Sequence, residues 1–185
     1  GLSVVDTSTS TSTPPASREE RFVAGVMDRC QSDKGLAARL RRADNPATEY
    51  QSWEFLADWG INLEDEAQRL PFTLVAAAMA KAKAAHNGNL KLGQAMAACY
   101  SDGAKSDQAK AKLRRVLACD DVPELCRILR PVLALIDSRV PQPLDYTRLL
   151  QQLHRFAWDA QKIKSQWAQE FYGRTVEDAP AEEAA

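Results

Sequence analysis

From Ser17 to Gly173 the apolar residues of this chain return every three or four positions, and no stretch alternates long enough to make a half-buried strand. That spacing gathers apolar side chains on one face of a helix, so burying them requires helices packed on helices. After Ser17, a residue suited to an N-cap, REERFVAGVM starts a helix that sets Phe22, Val26 and Cys30 four apart. Ser32 is expected to cap a second helix carrying Leu36 and Leu40, which Asp44-Asn45-Pro46 ends. Thr48 restarts a helix with Tyr50, Trp53 and Leu56, and Gly60 stops it. Asn62 is expected to cap a segment through Arg69. Pro71 suits the first turn of the next helix, whose face of Phe72, Val75 and Met79 ends near Asn87-Gly88-Asn89. Leu92, Met96 and Cys99 mark another helix, and SDGAKSD at 101–107 reads as a boundary. Three strong helices follow. One runs from Ser106 to Leu117 and buries Ala109, Leu113 and Val116; one starts at Val122, with Asp121 and Pro123 at its head, and buries Leu125, Leu129, Val132 and Ile136. The third follows the RVPQP break, is defined by Tyr146, Leu149, Leu153 and Phe156, and is continued by Ile163, Trp167 and Phe171 toward Gly173.

Composition agrees: 30 Ala and 19 Leu stand against 10 Val and 4 Ile, a balance that favours helices because unbranched side chains lose little rotamer freedom in them. The expected fold is all-α, a helical bundle of two packed subdomains at residues 18–100 and 101–174. Residues 1–17, with nine Ser or Thr and a single charge, are expected to form a disordered leader, and residues 175–185, with four acids and no base, a disordered acidic tail.

Most chemistries find no material here. The sequence contains no GxGxxG, phosphate loop, HExxH or GxSxG, and has only two histidines, so no catalytic residue and no enzymatic activity are expected. Glu64-Asp65-Glu66 reads as acids in a helix first turn rather than paired catalytic carboxylates. The cysteines Cys30, Cys99, Cys119 and Cys126 form no CxxC pair, so reduced thiols are expected, with no metal and no cofactor. No uncharged run exceeds 11 residues and no base precedes Arg18, so no membrane span, secretory signal or membrane partner is expected, and the chain is assigned to the cytoplasm.

The charge is unevenly placed. Residues 21–66 carry six bases against nine acids, whereas residues 67–174 carry seventeen against nine, a net of +8. On the helix after Asp121, Arg127 and Arg130 lie three apart, opposite the apolar face; Lys112 and Arg115 are spaced likewise, and Arg148 and Arg155 are seven apart. Such stripes suit a phosphate backbone, and they equally suit an ordinary solvated face; spacing alone leaves both readings open. Among Trp53, Trp59, Trp158 and Trp167, which could stack bases, Trp53 and Trp167 have the periodicity of core residues. His154 reads as partly buried or on the surface, and His86 as a helix-terminus residue.

LKLGQAMA (Leu90 to Ala97), LRRVLACD (Leu113 to Asp120), VPELCRILRPVLALI, PLDYTRLLQQL (Pro143 to Leu153) and WAQEFYG (Trp167 to Gly173) occur in this order. Together they resemble the CasB family, the small subunit of the type I-E CRISPR surveillance complex Cascade, over residues 18–174. The resemblance implies an all-helical, non-catalytic protein that pairs with a second copy of itself. It would sit beside the Cascade backbone and large subunits, holding the displaced non-target DNA strand and supporting the crRNA–target R-loop. It carries nucleic-acid contacts to Lys112, Arg115, Arg127 and Arg130, and to Lys91 and Arg148. Gln94 stands where the family often has Arg. Two other classes compete. A helical scaffold would turn the basic faces toward acidic protein partners, and a helix-turn-helix regulator would need base-reading side chains that Gln151-Gln152 do not supply.

Overall fold

The computed structural model describes residues 14–173, which form eight α-helices and, among the described residues, no strand. They are α1 (Arg18–Ser32), α2 (Lys34–Arg41), α3 (Trp53–Asp58), α4 (Glu66–Ala82), α5 (Leu92–Ala98), α6 (Asp107–Leu117), α7 (Val122–Arg139) and α8 (Tyr146–Tyr172). The all-α expectation is met. Residues 1–13 of the leader and the tail at 175–185 lie outside the described residues.

The caps follow the sequence at α1, α6 and α7. Ser17, Ser106 and Asp121 accept from the backbone N–H of Glu20, Ala109 and Glu124, relieving donors that a helix start leaves unpaired. Two caps differ from expectation. Asp33 rather than Ser32 caps α2, because Ser32 is still helical and its hydroxyl turns back to the carbonyls of Asp28 and Arg29. Asp65 rather than Asn62 caps α4, because Asn62 spends its carbonyl on the N–H of Glu64.

Pro71 therefore falls inside α4 and not in its first turn. Packing overrides the lost hydrogen bond, since every residue from Pro71 to Ala77 is buried. This central helix contacts α1, α2, α7 and α8. Helices on both sides of residues 101–107 contribute to the same buried cluster.

The largest departure lies in α8. A straight helix would hold residues 15 apart about 22 Å from each other, yet Trp167 Nε1 donates to Gln152 Oε1 at 2.9 Å and the Phe156 and Trp167 rings stack at 6.1 Å. The chain folds back at Asp159 (φ −144°, ψ 54°), so that residues 146–158 and 160–172 form two facing arms. Apolar spacing on each arm resumes in step, which is why the sequence reads as one helix. The second arm presses on α5: a Cβ at Gly93 would lie 2.4 Å from the Trp167 carbonyl oxygen, so only glycine permits this approach.

Candidate nucleic-acid interface

α6 buries Ala109, Leu113 and Val116, and α7 buries Leu125, Leu129, Val132 and Ile136, as their spacing requires. The opposite faces keep Arg115, Arg127 and Arg130 exposed and Lys112 half-exposed. The two helices meet at the turn through Cys119, whose Sγ donates to the Arg115 carbonyl at 3.4 Å. Burial raises the Cys119 thiol above its ordinary value, with Glu124 and Asp121 adding to the rise while Lys164 and Arg127 oppose it. Lys164 of α8 thus bears on the same thiol as Arg127. Spacing along one helix cannot reveal that, because it depends on the reversal of α8. From the middle of α6, Lys112, and from the end of α7, Arg139, both oppose the rise that burial gives Cys99, and Arg139 Nη1 donates to the Cys99 carbonyl at 3.3 Å.

Arg130 is steered by a carboxylate. Its Nε lies 3.7 Å from Asp44 Oδ2, an oxygen that also takes the Lys81 ammonium. The Asp44 side chain is only 6% exposed, whereas Arg130 keeps 43% and Lys81 35%, so two cations share one sheltered acid and remain open to solvent. Arg127, Arg130 and Lys81 rim a groove of about 880 Å³ between α4 and α7, floored by Leu70, Leu74 and Cys126. Of the acids on that groove, Glu49 is bound to Arg69 at 2.6 Å and to Trp53 Nε1 at 3.1 Å. Cys126 is too deeply buried to act as a nucleophile, its thiol being pushed up to about 12.

Lys91 and Arg148 stand elsewhere and converge on Glu170. Arg148 Nη2 lies 3.8 Å from Glu170 Oε2, and its Nε is buried without a hydrogen-bond partner. Burial raises the Glu170 carboxyl, and the Gln152 amide, Arg148, the Gly93 N–H and Lys91 lower it in turn. These two cations offset a buried charge: Glu170 lies three positions after Trp167, on the inner face of the second arm that also holds Phe171, and only the reversal of α8 brings it to Arg148. Gln94 has a local duty, its side chain accepting from the Lys91 N–H at 3.1 Å.

Trp167 is fully buried, as expected, but Trp53 is 38% exposed, correcting its core assignment. It lies at the edge of α3, held by Glu49 and by the Arg69 guanidinium 5.6 Å from its ring. Trp158 is 74% exposed at the α8 reversal. His154 is half-buried between Glu19 and the Gln68 carbonyl, and the exposed His86 follows α4. All four cysteines are free thiols, with Cys30 half-buried and the others buried. No group of three His, Cys, Asp or Glu side chains arranged for a metal occurs among the described residues, nor does any helix there have the length and apolarity to cross a membrane.

Comparison with curated protein sequences gave no match. Among solved structures the chain is similar to CasB of M. ruber (24% identity, TM-score 0.66, covering 85% of this chain and 94% of that one). It is also similar to CasB of Thermus thermophilus (24%, 0.66, 86% and 100%). A chain of a CRISPR RNA-guided surveillance complex matches at 22% identity and TM-score 0.60 over 83% of this chain and 90% of that one. At these identities the likenesses establish the fold. The model of CRISPR-associated protein Cse2 matches residues 36–172. With that match over most of its length, the chain belongs to the Cse2 family, also called CasB, the non-catalytic small subunit of type I-E Cascade.

Proposed function

We propose that this chain assembles into a type I-E Cascade complex in the cytoplasm, beside the backbone and large subunits and a second copy of itself. There it holds the displaced non-target strand and so stabilises the R-loop. In this reading residues 18–100 and 101–174 are two subdomains over one core, and the second carries the interface. The observation that supports it is the cationic α6–α7 corner, where Arg115, Arg127 and Arg130 are exposed and Lys112 half-exposed. Cations spread over two helices follow a polyanion without reading its bases, while guide pairing supplies the sequence information. Lys91 and Arg148 contribute through Glu170, as supports of the fold.

The test is R-loop lifetime in the assembled complex. Replacing Lys112, Arg115, Arg127 and Arg130 by Ala is expected to shorten it and to flatten the salt dependence, each lost phosphate contact removing about 0.7 from the log–log slope. Unchanged lifetime and slope in a folded, assembled variant would overturn the reading and favour acidic protein partners for these faces.

A further inference from the structure

A second basic groove lies away from the α6–α7 corner, where α1, α2 and the end of α4 meet around a cavity of about 430 Å³. Val26, Met79 and Ala80 form its apolar floor, and Lys34, Arg41 and Lys83 stand around it. No acid lines it among the described residues. Lys83 closes α4 at φ 51°, a left-handed position that helices usually give to glycine. A lysine there keeps a cation at the groove mouth that glycine could not supply. The surface is therefore selective: it suits a segment that alternates small apolar side chains with acids.

The chain carries such a segment. After Arg174, residues 175–185 contain Glu177, Asp178, Glu182 and Glu183 among Val176, Pro180 and four alanines. Their starting point is close enough. A Cβ at Gly93 would lie 2.7 Å from the Phe171 nitrogen, and Lys91 lowers the Glu170 carboxyl, so Gly173 leaves α8 beside residues 91–93. From Lys91 back to Ala85, which lines the groove, is at most about 22 Å of extended chain, and the twelve residues after Gly173 span up to about 40 Å.

We propose that residues 174–185 dock in the α1–α2–α4 groove of their own chain, their carboxylates against Lys34, Arg41 and Lys83. Docking cancels the charge of one basic face and leaves the α6–α7 corner to compete for polyanions.

Cys30 lines the groove and is half-buried while the other three thiols are buried, so it reports occupancy. The experiment follows alkylation of Cys30 by neutral iodoacetamide, read by mass spectrometry, in the full chain at low salt. It is compared with the full chain carrying E177Q, D178N, E182Q and E183Q, and with a chain ending at Gly173. The wild-type rate is expected to be at least fivefold slower than either variant, with the gap closing at about 1 M salt, where screening acts within about 3 Å. A synthetic peptide of residues 174–185 should restore protection to the shortened chain. Equal rates in all three proteins at low salt would overturn the proposal. So would protection that survives neutralisation of the four acids, or protection that grows with protein concentration, which would place the segment in a second copy.

Discussion

Arg148 lies on a face expected to touch phosphate, but its guanidinium is engaged inside the molecule, and Arg148→Ala separates the two roles. Removing one partner of a fully buried ion pair costs about 3–5 kcal/mol, because the remaining charge is stranded. Here the arginine side chain is 34% exposed and 3.8 Å from Glu170, while the Gln152 amide also bonds the carboxylate. The loss should then be about 1–2 kcal/mol, or about 0.5–1 M in urea midpoint at a slope near 2 kcal/mol/M. The pH dependence gives a signature. Burial raises the Glu170 carboxyl above its ordinary 4.5. A group that holds its proton more tightly when folded contributes stability below its unfolded pKa, and loses that contribution as pH rises through the folded value. Arg148 is one of the groups that lower this carboxyl, so its removal should move the loss to higher pH, and E170Q should abolish the dependence. Urea unfolding from pH 4.5 to 8, with single-strand binding measured in parallel, tests this. If R148A kept the wild-type midpoint at every pH but bound the strand more weakly, Arg148 would be a phosphate contact and the ion-pair argument would fail.

Gly93→Ala should destabilise the fold by about 1–3 kcal/mol through overpacking, since the obstructing atoms are backbone of α8; a wild-type melting temperature would refute it. Asp44→Asn should strengthen single-strand binding and steepen its salt dependence by releasing Lys81 and Arg130, with unchanged binding counting against a steering role for Asp44. Deleting residues 1–16 should leave the thermal midpoint within a degree or two, because Ser17 still caps α1 and the segment has no periodic apolar residues; a clear drop would move the boundary of the fold.

The helices were legible because their determinants are local. Phe22 and Val26, Leu113 and Val116, or Leu125 and Leu129 announce their burial through spacing along one segment, and Ser17, Ser106 and Asp121 announce helix starts. What stayed hidden depends on contacts between segments. Pro71 reads as a helix start until the burial around it is known, and Asp159 carries no sequence signal that would turn a helix back on itself. The same limit governs the site. Exposure of Arg115, Arg127 and Arg130 follows from the faces of α6 and α7, but the diversion of Arg148 to Glu170 and the influence of Lys164 on the Cys119 thiol both require knowing where α8 goes.

The fold-back of α8 also fixes where the ends of that element emerge. Run straight, its 27 residues would carry the chain about 40 Å from its starting point. Folded, Gly173 returns to the Leu90–Leu144 bridge where the element began, and the exposed Trp158 marks the far end of the same arm, about 18 Å away. The hairpin is thus a ruler built into the molecule, with its zero mark at the chain's exit beside α5 and its other mark at an indole open to solvent.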